Sequence, residues 1–112
     1  MTSPDKNDMP LHNLGKEIIK INKANGWNVL RPNQWGDVYR VPTALALIHS
    51  EVSEALEAFR EGDRDHFEEE MADVLIRVLD CAHGLGLDLD WAVATKLEKN
   101  KTRGFRHGGK RV

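Results

Sequence analysis

The stretch LIHSEVSEALEAF, Leu47 to Phe59, decides how this chain is read. An α-helix turns about 100° per residue, so side chains three and four apart share a face. On that wheel Leu45, Ile48, Val52, Ala55, Leu56 and Phe59 form one apolar stripe. The helix is expected from about Thr43 to Glu61, with Thr43 after Pro42 as its N-cap and Gly62 as its stop. Glu51 falls one turn beyond Ile48 and one turn before Ala55, so it flanks the stripe instead of facing away from it. Glu54 follows at i+3, about 60° further round. Like charges at that spacing weaken a helix by a few tenths of a kcal/mol.

The stretch EEEMADVLIRVLD, Glu68 to Asp80, repeats the arrangement. Phe67, Met71, Val74, Leu75, Val78 and Ala82 make the stripe of a helix expected from about Asp65 to His83. Glu70 sits one turn before Val74, and Asp73 follows at i+3. A tight turn in EGDRD makes the two helices antiparallel neighbours, so an E-x-x-E pair and an E-x-x-D pair can converge. Four carboxylates in one place repel each other and resist leaving water. A hard divalent cation with oxygen ligands, Mg²⁺ above all, offsets both costs. The bland alternative is that these acids face water and pair with Arg60, Arg64 or Arg77.

Working outward, Leu11, Leu14, Ile18 and Ile21 mark a first helix of about residues 11–24. Residues 26–42 hold Gly26, Pro32, Gly36 and Pro42, with Trp27 and Trp35 among them, and read as a long loop. Asp88 or Asp90 caps a fourth helix of about 90–103, with Trp91, Ala94 and Leu97 turned inward. No β-type alternation of useful length appears. The expected fold class is therefore all-α, an antiparallel bundle of about four helices whose stripes form the core. It is expected as one domain over 1–112, with 1–9 and 104–112 as flexible tails.

Composition agrees with that class. The chain has 112 residues, 40% hydrophobic and 30% charged, with a formal net charge of −2. No apolar run approaches the roughly 18 residues of a membrane helix. The polar start MTSPDKNDMP shows no secretory pattern, and the single cysteine, Cys81, rules out an intrachain disulfide. A cytoplasmic protein without a membrane partner is expected. Charge is unevenly spread: residues 51–73 hold ten acids against two arginines, and residues 96–112 hold seven Lys/Arg against one acid. The acidic middle would repel a long polyanion, so polymeric nucleic acid is not an expected partner. Phosphates that bridge metal-loaded acids to a basic segment suit the distribution better.

Other site types are poorly supported. The Glu-x-x-His pattern of di-iron bundles, Cys/His zinc spacing and a P-loop are all missing from the sequence. Asp63-x-x-His66 and Asp80-x-x-His83 read as capping or surface features. Ser50 and Ser53 lack an evident base. His49 reads as surface or interface, and His12 is a weak candidate to reach the site from the first helix.

EVSEALEAFREGD followed by EEEMADVLIRVLD resembles the all-α nucleoside triphosphate pyrophosphohydrolases of the MazG-like family. The ending KLEKNKTRGFRHGGKRV is similar to that of short MazG-like proteins, and the likeness spans about residues 43–112. It implies hydrolysis of a (d)NTP between the α and β phosphates to a monophosphate and pyrophosphate, in a house-cleaning role on noncanonical nucleotides. It implies Mg²⁺, with Mn²⁺ as a substitute, held by Glu51, Glu54, Glu70 and Asp73. Glu51 or Glu54 would activate the water, unassigned between them. Lys96, Asn100 and Arg103, at i, i+4 and i+7, share a helix face expected to meet the phosphates. Arg106, His107 and Lys110 would close over the phosphates or contact a neighbouring chain, and Trp35 would stack on the base. Relatives are dimers or tetramers, so a homodimer or homotetramer is expected. Two alternatives share the motif: a non-enzymatic metal-dependent nucleotide-binding or assembly module, and a phosphoribosyl-ATP pyrophosphohydrolase.

Overall fold

A computed structural model describes residues 8–103. Four α-helices and one short 3₁₀ turn account for the regular structure, in the order α1 (Pro10–Ala24), the turn Pro32–Gln34, α2 (Arg40–Arg60), α3 (Arg64–Gly84) and α4 (Leu89–Thr102). No strand occurs among the described residues, so the all-α expectation holds. The tail residues Arg106, His107 and Lys110 lie outside the described residues.

Each helix start has a local cause. Pro10 sits in the first turn of α1, where its missing N–H would have had no helical partner. The next two N–H groups, of Leu11 and His12, donate to the two carboxylate oxygens of Asp90, both at 2.9 Å. Asp90 thus caps α1 from α4, and Asp88 caps α4 itself through the Trp91 N–H at 3.0 Å. Asp63 accepts from the His66 N–H at 3.0 Å and starts α3.

The start of α2 corrects the sequence expectation. Thr43 is not the N-cap; the helix begins three residues earlier, at Arg40. Asp37 accepts from the N–H groups of Tyr39 and Arg40 at 3.0 and 2.8 Å. Those bonds hold its carboxyl below the usual range. Pro42 falls within the first turn, where it breaks no helical bond. The Thr43 hydroxyl instead donates back to the Tyr39 carbonyl at 2.6 Å.

Packing centres on α3. The α2–α3 hairpin, turned at Gly62 with φ of 72°, forms the largest interface; α1 packs on α3, and α4 leans on α1. The loop after α1 returns to α3 at Gly84, where an added Cβ would stand 2.7 Å from the Leu30 carbonyl oxygen. That contact carries Trp27 and Asn28 over the hairpin's flank, where they share cavities with Arg77 and Asp80 of α3.

The buried core is small: Ile18, Leu30, Ala55, Ala58, Leu79, Ala82 and Leu85. This overturns much of the expected core. Leu45, Val52, Leu56 and Phe59 of α2, Met71 and Leu75 of α3, and Trp91 and Leu97 of α4 are exposed, Phe59 to 71%. Periodicity marked apolar faces, but among the described residues α4 lies mainly against α1 and most of the hairpin's stripe stays exposed, while Ala58 and Leu79, outside the expected stripes, are buried.

Candidate metal and nucleotide site

Because α2 and α3 run antiparallel, the acids on their adjoining flanks meet. Ligand atoms of Glu51, Glu70 and Asp73 all lie within 4.8 Å of one another. Glu70 is buried, at 7% exposure, while Glu51 and Asp73 are half-buried. One Glu70 oxygen, Oε1, lies 3.0 Å from His66 Nε2, one turn back on α3. Its other oxygen, Oε2, is buried and receives no hydrogen bond. Across the hairpin, Arg77 Nε donates to Glu51 Oε1 at 2.9 Å.

The electrostatics follow from those neighbours. The Arg77 guanidinium, before any other cause, holds the Glu51 carboxyl below its ordinary value. Glu70 moves the opposite way: burial raises it most, then Glu54 and Glu51, against the pull of His66. The His66 ring is raised in turn by Glu70. A carboxylate shut from water, beside two others, with one oxygen lacking a donor, is costly unless a cation joins it. Three oxygen-donor side chains at this spacing suit a hard divalent ion, so the residues fit a metal.

Glu54 stands slightly apart. It is exposed and outside the 4.8 Å group, yet close enough to raise the Glu70 carboxyl. The bland alternative is realised only at Glu51, which pairs with Arg77; Arg60 pairs instead with Glu57, outside the four acids.

A cavity of about 460 Å³ opens beside Glu51 and Asp73 and is walled by Trp27, Asn28, Arg77 and Asp80. A second, of about 310 Å³, shares those four residues and adds Arg40 and Cys81. Both fall in the size range of small-molecule sites. Trp27 is 69% exposed and lines both. Trp35, the expected base-stacking residue, is 70% exposed and lines neither.

Other expected residues fall elsewhere. Lys96, Asn100 and Arg103 are exposed on α4, which leans on α1, and none lines the cavity beside the acids. His12 does not reach the acids; its ring lies 4.9 Å from that of His83, and both line a separate cavity near the start of α1. Asp63 is a cap, but His66 is more than surface, because it meets Glu70. Asp80 and His83 are neither caps nor plain surface: both are half-buried, and Asp80 Oδ1 receives no hydrogen bond. His66 was findable, since it precedes Glu70 by one turn. No local signal marks Trp27, whose place depends on the loop's return to α3.

Residues 41–105 match the family profile described as MazG nucleotide pyrophosphohydrolase domain. No curated protein and no solved structure matches the chain. The matched segment contains both halves of the acid cluster and all of α4 within one continuous run covering more than half of the sequence. With that match over more than half of its length, the chain belongs to the MazG nucleotide pyrophosphohydrolase family.

Proposed function

We propose that this protein is a Mg²⁺-dependent nucleotide pyrophosphohydrolase that cleaves a (d)NTP between the α and β phosphates, releasing (d)NMP and pyrophosphate. The observation that carries this reading is the trio Glu51, Glu70 and Asp73, within 4.8 Å, with Glu70 Oε2 buried and lacking a donor. Mg²⁺, or Mn²⁺ in its place, supplies Lewis-acid polarisation of the phosphates and a more acidic bound water.

The chain's own residues divide the remaining work. Glu51, Glu70 and Asp73 hold the cation, and His66 fixes the orientation of Glu70 through Oε1. Glu54, exposed at the edge of the trio, is placed to orient the attacking water and take its proton, with Glu51 as the alternative base. Arg77, which pairs with Glu51, lines the same cavity and has a planar donor fork that would suit a phosphate oxygen there. Trp27 offers the base a face to stack on.

Lys96, Asn100 and Arg103 remain the proposed phosphate contacts; since none lines the cavity of its own chain, they would act at the site of a second copy. The exposed stripe of Val52, Leu56, Phe59, Met71 and Leu75 supports that self-association, as a homodimer or homotetramer, because an apolar face of that extent favours a partner. The single domain over 1–112 and a cytoplasmic location, which the lone free Cys81 suits, belong to the same reading. No helix among the described residues is long and apolar enough to cross a membrane.

The test is an assay of (d)NTPs with Mg²⁺ that separates pyrophosphate from orthophosphate. Pyrophosphate release, abolished by Glu70→Gln or Asp73→Asn, supports the reading; orthophosphate release refutes the reaction class. Binding of an NTP with Mg²⁺ and no cleavage over hours would favour the non-enzymatic module.

A further inference from the structure

The cavity beside the acids contains an ionisable group for which metal binding has no use. Asp80 follows Asp73 by seven residues, two turns of α3, and so shares its face. Arg77 lies between them. The two carboxylates are parted by about 10 Å of helix. Asp73 belongs to the acid trio, while Asp80 lies at the far end of the same cavity, beside Trp27 and Asn28.

The surroundings of Asp80 are unusual for an acid that merely decorates a helix. Asn22 of α1 supplies a hydrogen bond to its carboxylate, and Arg77 lends charge, but burial outweighs both and pushes the carboxyl up. Oδ1 receives no hydrogen bond at all. A buried oxygen without a donor costs stability, and a group of that kind in a native protein calls for a functional or structural reason. Asp80 lines both cavities.

We propose that Asp80 is a specificity-determining residue: its carboxylate accepts a hydrogen bond from the exocyclic amino group of a cytosine or adenine ring laid against Trp27. The site then favours an amino-bearing base over its keto counterpart. A carboxylate accepting from a base amino group is an established pairing. A keto oxygen at that position would set two acceptors against each other in a partly dry cavity, which costs more than a missing bond. The inference rests on the reading that the nucleotide's phosphates sit at Glu51, Glu70 and Asp73.

Calorimetric titration of the full chain, with Mg²⁺, against two matched pairs tests it: dCMP with dUMP, and dAMP with its hypoxanthine analogue. The wild type should bind the amino member of at least one pair about 10- to 100-fold more tightly, and that pair identifies the ring. Asp80→Asn offers a donor as well as an acceptor and should bring the ratio to within about threefold. Its helical signal and melting temperature confirm folding, and the wild-type ratio needs no variant. Equal wild-type affinity within both pairs overturns the proposal, as does a preference that survives in Asp80→Asn. A pyrophosphate assay run alongside separates the two readings. Selective binding without pyrophosphate keeps the role of Asp80 and removes the reaction; pyrophosphate release with equal affinities does the reverse.

Discussion

Arg77 on α3 reaches across the hairpin and donates to Glu51 on α2 at 2.9 Å, placing a guanidinium against a carboxylate of the acid trio. The protein's own cation thereby neutralises part of a cluster whose donors fit a metal. It also ties together two helices whose remaining contacts are largely side-chain packing. On the proposed function, pair and metal would compete for one carboxylate.

Arg77→Gln should therefore lower the metal-free stability by about 1 kcal/mol, the scale of a partly exposed ion pair. It should also enlarge the rise in melting temperature that Mg²⁺ produces, because the competing charge is gone. Thermal melts with and without Mg²⁺ check both. Loss of pyrophosphate release in the same variant would fit a phosphate contact for Arg77.

Glu70→Gln acts differently. It removes a buried charge whose burial and neighbours already disfavour it, so the metal-free protein should melt no lower than the wild type. Mg²⁺-dependent stabilisation should disappear. Activity should fall at least about a hundredfold, since charge stabilisation of several kcal/mol goes with the ligand. A parallel pair of melting curves and a rate measurement decide it.

The sequence marked four acids, Glu51, Glu54, Glu70 and Asp73, without showing that Glu54 stands outside the group of three. Spacing of three within each pair, with a tight turn between the pairs, is enough to put Glu51, Glu70 and Asp73 on adjoining helix flanks. The helices were legible for the same reason. What periodicity does not carry is the destination of each stripe. It marked Leu56 and Phe59 as core, yet a stripe shows only that a face is apolar, not which helix covers it. Loop geometry is equally opaque: the loop from Asn25 to Tyr39 brings Trp27, not Trp35, to the cavity because Leu30 lands on Gly84, a contact 54 residues apart in sequence.

His83 gives the protein a pH dependence. Burial, then His12 and Lys16, depress its imidazole below the ordinary 6.5. The unfolded chain therefore takes a proton at a pH where the folded chain does not. Stability contributed by neutral His83 is present above 6.5 and is lost as pH falls from 6.5 toward the lower folded value. His66, raised by Glu70, acts in the opposite direction. The difference between wild type and His83→Asn isolates the first effect: urea melts between about pH 7 and 5 should show a shallower loss of stability in the variant.

Asp90 joins the two ends of the described chain by capping α1 from α4. Asp90→Ala leaves two N–H groups of α1 without their acceptor and should cost about 1 kcal/mol. That corresponds to a melting temperature lower by about 4–8 °C for a domain near this size. Asp90→Asn, which retains an acceptor oxygen, should recover part of the loss in the same scan.

The account stands or falls on what leaves the nucleotide. Phosphorus NMR of a (d)NTP incubated with the full chain and Mg²⁺ should show monophosphate and pyrophosphate appearing together, and neither product with Glu70→Gln. Appearance of diphosphate and orthophosphate, or equal turnover with Glu70→Gln in place of the wild type, would contradict it.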